Sequence, residues 1–127
     1  MGQYLIDNNV ISNYFSGQFS KNAMEFVAEV IDNAPNISVI TEIEALSWIS
    51  SDKRKENIIR EFIKDAHVLP LSSAVVTQCI AIRRSRKIKT PDAIIAATAV
   101  ANDFILITSD HGFKNIKGLQ IIDPHSL

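Results

Sequence analysis

Short apolar runs alternate with longer stretches of helical spacing along the whole chain, and this alternation constrains the fold more than any other feature. Tyr4-Leu5-Ile6 ends at Asp7-Asn8-Asn9, a strand running into a turn. The spacing then predicts a helix over 10–15 that stops near Gly17, and a second over 22–31 with Phe26, Val27, Val30 and Ile31 on one face. Asn33-Ala34-Pro35-Asn36 breaks that helix. A second strand is predicted over 37–40, with a helix starting at Thr41. Ser51-Asp52 is expected to cap another helix, whose stripe is Ile58, Ile59, Phe62 and Ile63. A third strand is expected over 67–71, near a sheet edge because of Pro70. Ser72-Ser73 opens a helix running to about Arg86. Thr90-Pro91 opens the next, with threonine as N-cap and proline at the first helical position. A fourth strand begins at Asp103 or Phe104 and ends at Thr108, and 120–122 supplies a fifth. Strands alternating with helices imply an α/β three-layer sandwich around a mainly parallel sheet of four to five strands.

In such sheets ligands gather at the carboxyl ends of the strands. Asp7 follows the first strand, Glu44 falls early in the helix after the second, and Asp110 lies just beyond the fourth. Asp92 is in the first turn of a helix that packing could bring to the same edge. Converging carboxylates repel one another unless something positive lies among them. A hard divalent cation, Mg2+ or Mn2+, prefers such oxygen ligands. No zinc pattern competes, because His67, His111 and His125 are scattered and Cys79 has no cysteine partner. Each acid also has a purely structural reading. Thr41 and Glu44 have capping-box spacing, Asp92 complements a helix dipole, and Asp7 and Asp110 can cap turns. The functional case rests on the four acids together.

The 127 residues fit one domain, 1–127, and 46% are hydrophobic, enough for a core. The net charge of −1 gives no global attraction for a polyanion, so affinity for nucleic acid must be local. Arg83-Arg84-Ser85-Arg86-Lys87-Ile88-Lys89 is the dense basic cluster. It reads equally as a phosphate-contacting rim and as a solvated helix end. The start of the chain lacks the basic-then-apolar order of a secretory signal. The longest apolar-rich stretch, 93–101, is too short to cross a bilayer, which takes roughly 20 residues. With a single cysteine, these features lead us to expect a cytoplasmic protein without membrane attachment. Trp48 is expected in core or dimer packing more than in base stacking, and His111 on a surface turn. Ala96, Ala97 and Ala99 are expected in close helix packing.

The motifs around the acids resemble those of the PIN-domain nucleases, particularly the VapC toxins of bacterial toxin–antitoxin pairs. Tyr4-Leu5-Ile6-Asp7-Asn8-Asn9-Val10-Ile11 is similar to the family's opening motif. Ile37-Ser38-Val39-Ile40-Thr41-Glu42-Ile43-Glu44 resembles the second, where the acid three residues after a threonine selects Glu44 over Glu42. The stretch from Lys89 to Ala99, with Thr90-Pro91-Asp92-Ala93 at its head, is the most specific match. Leu106-Ile107-Thr108-Ser109-Asp110-His111-Gly112-Phe113 resembles the last motif. Two positions depart from the pattern: Asn8 stands where threonine or serine is common, and Gly112 where an acid often precedes the phenylalanine. The resemblance implies an endoribonuclease dependent on Mg2+ or Mn2+, a homodimer, and a cognate antitoxin that blocks the site. It implies Asp7, Asp92, Asp110 and Glu44 as metal ligands or water-orienting groups, with Thr108 holding a ligand in place. Asn8, Arg83, Arg84, Arg86, Lys87 and Lys89 are the candidates for contact with RNA.

Two other α/β classes fit less well. A haloacid-dehalogenase-type phosphatase needs a second aspartate two residues after the first, where this chain has Asn9. A response regulator needs neighbouring acids at the first strand. A catalytically silent PIN-like domain that only binds RNA or protein is the alternative from a different functional class.

Overall fold

The computed structural model describes residues 3–127, so the first two residues of the expected signal-free start lie outside it. Five strands form one sheet: β1 (Tyr4–Ile6), β2 (Asn36–Ser38), β3 (His67–Leu69), β4 (Ile105–Ile107) and β5 (Ile121–Ile122). Their order is β3-β2-β1-β4-β5, and every adjacent pair is parallel. Parallel neighbours require crossovers, and helices supply most of them. They are α1 (Asn8–Phe15), α2 (Lys21–Asp32), α3 (Val39–Leu46), α4 (Lys53–Asp65), α5 (Ser73–Ser85) and α6 (Thr90–Asn102). β3 is an edge strand, as Pro70 just beyond it suggests.

Alternation along the central strands divides the core into two layers. Leu5 and Leu106 pack with Ala93, Ala96 and Ala97 of α6 and with Val75, Cys79 and Ile82 of α5. Ile6 and Ile107 point the other way, into a core with Val10, Ile11, Val27, Ala45, Phe62 and Ile63 from α1 to α4. The expected three-layer α/β sandwich is therefore present. Cys79 is a free, buried thiol. Among the described residues no helix is long and apolar enough to cross a membrane.

The N-caps of two helices differ from expectation. Val39 and Ile40 open α3 instead of extending β2. The cause is Ser38: its hydroxyl accepts the Thr41 N–H at 3.1 Å, so the helix is capped three residues earlier than a Thr41 start. Thr41 therefore lies inside the first turn, and Glu44 falls in the second turn, free of any capping role. At α6 the N-cap is Lys89, with no side-chain cap bond, and Thr90 is already helical.

Candidate functional site

The four acids come from four separate segments. Asp7 is the hinge between β1 and α1: its N–H donates to the Ile107 carbonyl at 3.0 Å, continuing the ladder with β4. Its carboxylate then turns back to accept the Asn8 N–H at 2.8 Å as the N-cap of α1. Glu44 is exposed on α3, and Asp92 lies half-buried in the first turn of α6. Asp110 follows β4, where its carboxylate accepts the Gly112 N–H at 2.8 Å and caps the short 3-10 turn His111–Phe113. The capping readings of Asp7 and Asp110 are thus present beside any further role.

The charges of these acids act on one another. Burial raises the Asp7 carboxyl above its ordinary value of 3.8; hydrogen bonds from Thr108 and Asn8 oppose the rise, and Asp92 and Asp110 add to it. Glu44 is raised from 4.5 by burial and then by Asp7 and Asp92. Asp92 is raised by burial and by Asp110, with Lys89 pulling it back. Each acid is therefore linked to at least two others through its field, and Glu44 is the glutamate whose charge couples to buried Asp7 and half-buried Asp92. Asp7, Glu44 and Asp92 hold their protons more tightly than isolated carboxyls, first through burial and then through the negative charge of their neighbours.

A network of uncharged groups holds Asp7 in place. The Thr108 hydroxyl is fully buried and donates to Asp7 Oδ2 at 2.7 Å. The same hydroxyl accepts the Asp110 N–H at 3.0 Å, tying the first acid to the last. Asn9 was not anticipated. Its Nδ2 donates to Asp7 Oδ2 at 3.2 Å and lies 3.4 Å from Thr108 Oγ1, while its Oδ1 accepts the Ser109 N–H at 3.2 Å. The available signal was an asparagine, a poor helix former, in the first turn of a helix. Asn8 contributes its backbone N–H to Asp7, and its side chain lines a neighbouring cleft.

The basic run divides. Arg83, Arg84, Lys87 and Lys89 are exposed, and Lys89 is the one whose charge acts on Asp92. Arg86 is turned inward: its guanidinium donates to the carbonyls of Lys114 at 2.6 Å and Gly112 at 3.1 Å, bracing the loop after Asp110. His111 is exposed on its turn, with Nε2 3.7 Å from Asp123. Beside the acids lies a cleft of about 740 Å³ between α1, α3 and α4, lined by Asn8, Phe15, Glu44, Trp48, Lys55 and Ile58 among others. Trp48 is 46% exposed, so core packing does not account for it. Ile43, Leu46 and Ile49 are exposed around it.

The donor set is chemically suited to a hard divalent cation: four carboxylates from separate segments, three of them raised in part by their neighbours' charge. The Ser109 hydroxyl beside Asp110 is buried without a hydrogen-bond partner among the described residues, a polar atom still to be satisfied. Among the described residues, however, no three His, Cys, Asp or Glu side chains stand close enough to close on an ion without adjustment.

The family model described as the PIN domain matches residues 4–119. A toxin–antitoxin complex from Klebsiella pneumoniae contains a chain 26% identical to this one, with a TM-score of 0.72 over 96% of this chain and 98% of that one. DNA-bound VapBC from Salmonella typhimurium gives a TM-score of 0.79 at 19% identity, covering 98% of this chain and 99% of that one. FitAcB from Neisseria gonorrhoeae gives 0.78 at 23% identity, covering 98% and 100%. An uncharacterised protein of Archaeoglobus fulgidus is 44% identical over 41 residues. That match takes in 32% of this chain and 66% of the relative, just under two thirds of the relative's length.

Proposed function

The chain belongs to the PIN-domain family, and from that premise we propose that residues 1–127 act as one metal-dependent endoribonuclease domain, the toxin of a toxin–antitoxin pair. One observation carries the reading: Asp7, Glu44, Asp92 and Asp110, from four separate segments, act on one another's charge. Such an arrangement is unfavourable by itself and becomes favourable around a cation.

Asp7, Asp92 and Asp110, with Glu44, would hold Mg2+ or Mn2+, which when bound neutralises charge on the phosphodiester and makes water a stronger nucleophile. Thr108 fixes the Asp7 carboxylate from β4, so the ligand is set before substrate arrives. Glu44, exposed at the rim, accepts a hydrogen bond from the attacking water and orients it. A P–O bond forms to that water, which releases a proton to solvent, as the bond to the leaving oxygen breaks, and the leaving oxygen takes up a proton from solvent. Lys89 contacts a substrate phosphate next to Asp92 and lessens repulsion between two anions. Arg83, Arg84 and Lys87 extend the phosphate-contacting rim, and Asn8 meets RNA where the site opens into the cleft. Arg86, also counted in that rim from the sequence, has its guanidinium engaged by the loop carbonyls, so its contribution to RNA contact is indirect.

An antitoxin and a second copy of the chain are the proposed protein partners. The exposed Ile43, Leu46, Trp48 and Ile49 support an apolar contact surface next to the acids. The similar solved structures that are toxin–antitoxin assemblies support the antitoxin. The free thiol and the absence of an apolar span among the described helices are compatible with a cytoplasmic setting.

The decisive experiment is cleavage of a mixed RNA pool by purified protein freed of any inhibitor, with Mg2+, Mn2+ or EDTA. Activity is expected with either metal and not with EDTA. Asp7→Asn should lower it by more than about 100-fold, beyond the loss typical of residues that only orient a ligand. Folded protein that cuts no RNA at any metal concentration would establish the silent binding domain instead.

A further inference from the structure

We propose that Asn9 is a positioning residue that sets how Asp7 meets its cation, leaving a single acceptor site open on Oδ1. The assignment rests on the metal-dependent reading above. It comes from counting hydrogen-bond capacity around the carboxylate. Each carboxylate oxygen offers two lone-pair sites. Asp7 Oδ2 receives the Thr108 hydroxyl at 2.7 Å and the Asn9 amide at 3.2 Å, so both of its sites are taken. Oδ1 receives the Asn8 N–H at 2.8 Å and keeps one site free.

The direction of the Asn9 amide is not arbitrary. Its Oδ1 accepts the Ser109 N–H at 3.2 Å. That bond turns Nδ2 towards Asp7 and Thr108; the reverse orientation would set two oxygens against each other and two donors against each other. The two hydrogens of Nδ2 match two acceptors, Asp7 Oδ2 and Thr108 Oγ1. The Thr108 hydroxyl spends its hydrogen on Asp7, and its two lone pairs face the Asp110 N–H and Asn9. Every side-chain donor of Asn9 and Thr108 is used and both lone pairs of the Thr108 hydroxyl are taken, so this orientation of the carboxylate satisfies the set. Asn9 also bridges the start of α1 to the end of β4, the two segments that carry Asp7 and Asp110.

Mn2+ titration followed by electron paramagnetic resonance, on the full chain, tests this without relying on turnover. Wild type is expected to bind, and Asp7→Asn to lose binding. Asn9→Ala should weaken Mn2+ binding about 10-fold or more, as removal of a ligand-orienting partner typically does. Its kcat for RNA should fall while KM stays within about twofold of wild type. Asn9→Asp is the sharper variant. It keeps an acceptor for the Ser109 N–H but replaces the donor to Asp7 with a repelling oxygen, so a purely structural bridge survives it and the positioning role does not. It should bind Mn2+ no better than Asn9→Ala, with thermal melting confirming the fold. Should the alanine variant unfold, Asn9→Ser, whose hydroxyl cannot serve both segments, is expected to show the same loss. Wild-type affinity in a folded Asn9→Asp or Asn9→Ser variant overturns the assignment alone. A wild-type protein that gives no bound-Mn2+ signal overturns the metal reading, and the Asn9 assignment with it.

Discussion

At the residue scale, the proposed chemistry turns on an acid that is buried and only partly compensated. Asp7 is 6% exposed, and the Thr108 hydroxyl is its shortest hydrogen bond. Thr108→Val keeps the shape and removes the hydroxyl, so Asp7 loses a donor and the Asp110 N–H loses its acceptor. A cost of about 1–3 kcal/mol is expected from urea denaturation, the usual penalty for a buried polar group left without its partner. Titration gives a second prediction. Asp7, Glu44 and Asp92 all have carboxyls raised above their ordinary 3.8 and 4.5. A raised carboxyl holds its proton more tightly folded than unfolded, so the stability it lends is full below the ordinary value and is lost as pH rises through the folded one. Asp52 and Glu56, lowered by surface partners, act in the opposite sense, so the comparison to make is wild type against Asp7→Asn. Without divalent cation, Asp7→Asn should gain melting temperature over wild type as pH rises above about 4, and added Mg2+ should narrow the gap at neutral pH. A constant difference across that range would count against crowded charge as its source. The acids were legible in the sequence because each lies in a local pattern at the end of a strand or the start of a helix. Asn9 was not, because its partners Thr108 and Ser109 are 99 and 100 positions away.

At the element scale, the geometry of the site depends on where helices begin. The run Ile37-Ser38-Val39-Ile40 has the β-branched character of a strand, yet the Ser38 hydroxyl starts a helix in its middle. Local propensity is a weak guide when a cap and a short parallel strand compete with it. The shift brings Glu44 into the second turn of α3, from which it reaches Asp7 and Asp92. Ser38→Ala should cost about 1 kcal/mol, measured by denaturation. It should also reduce RNA cleavage by loosening the turn that presents Glu44; unchanged stability would show that the cap is dispensable. The stretch that resembles the family most specifically became α6, where Ala93, Ala96, Ala97 and Ala99 are wholly buried against the sheet and α5. Small residues there allow the close approach that brings the helix start, with Asp92, to the sheet edge. Ala97→Leu should overpack this interface at a cost of about 1–3 kcal/mol, and its loss of activity should exceed that of an exposed substitution on α4.

At the scale of the whole molecule, the proposed binding of RNA by a chain of net charge −1 calls for a local surface. The exposed Arg84 and Lys87 are the clearest test of the rim. Alanine at either should weaken RNA binding, and should reduce the slope of log affinity against log salt by about one for each phosphate no longer engaged. An unchanged slope would assign the run to an ordinary solvated helix end. Sedimentation of the purified chain without antitoxin is expected to show a dimer that covers part of the exposed apolar surface. The sequence by itself determined the alternation of strands and helices, the class of sheet and the edge position of β3, and it singled out the four acids as candidates, because each is written in neighbouring residues. It left open the order β3-β2-β1-β4-β5, which sets Asp7, the residue after β1, directly beside the end of β4. Only the tertiary structure decided that Asp7 is held by Thr108 through a network that includes Asn9, and that Arg86 braces the Asp110 loop. Hydrogen bonds and fields depend on distance in space, and residues a hundred positions apart carry no local mark of meeting.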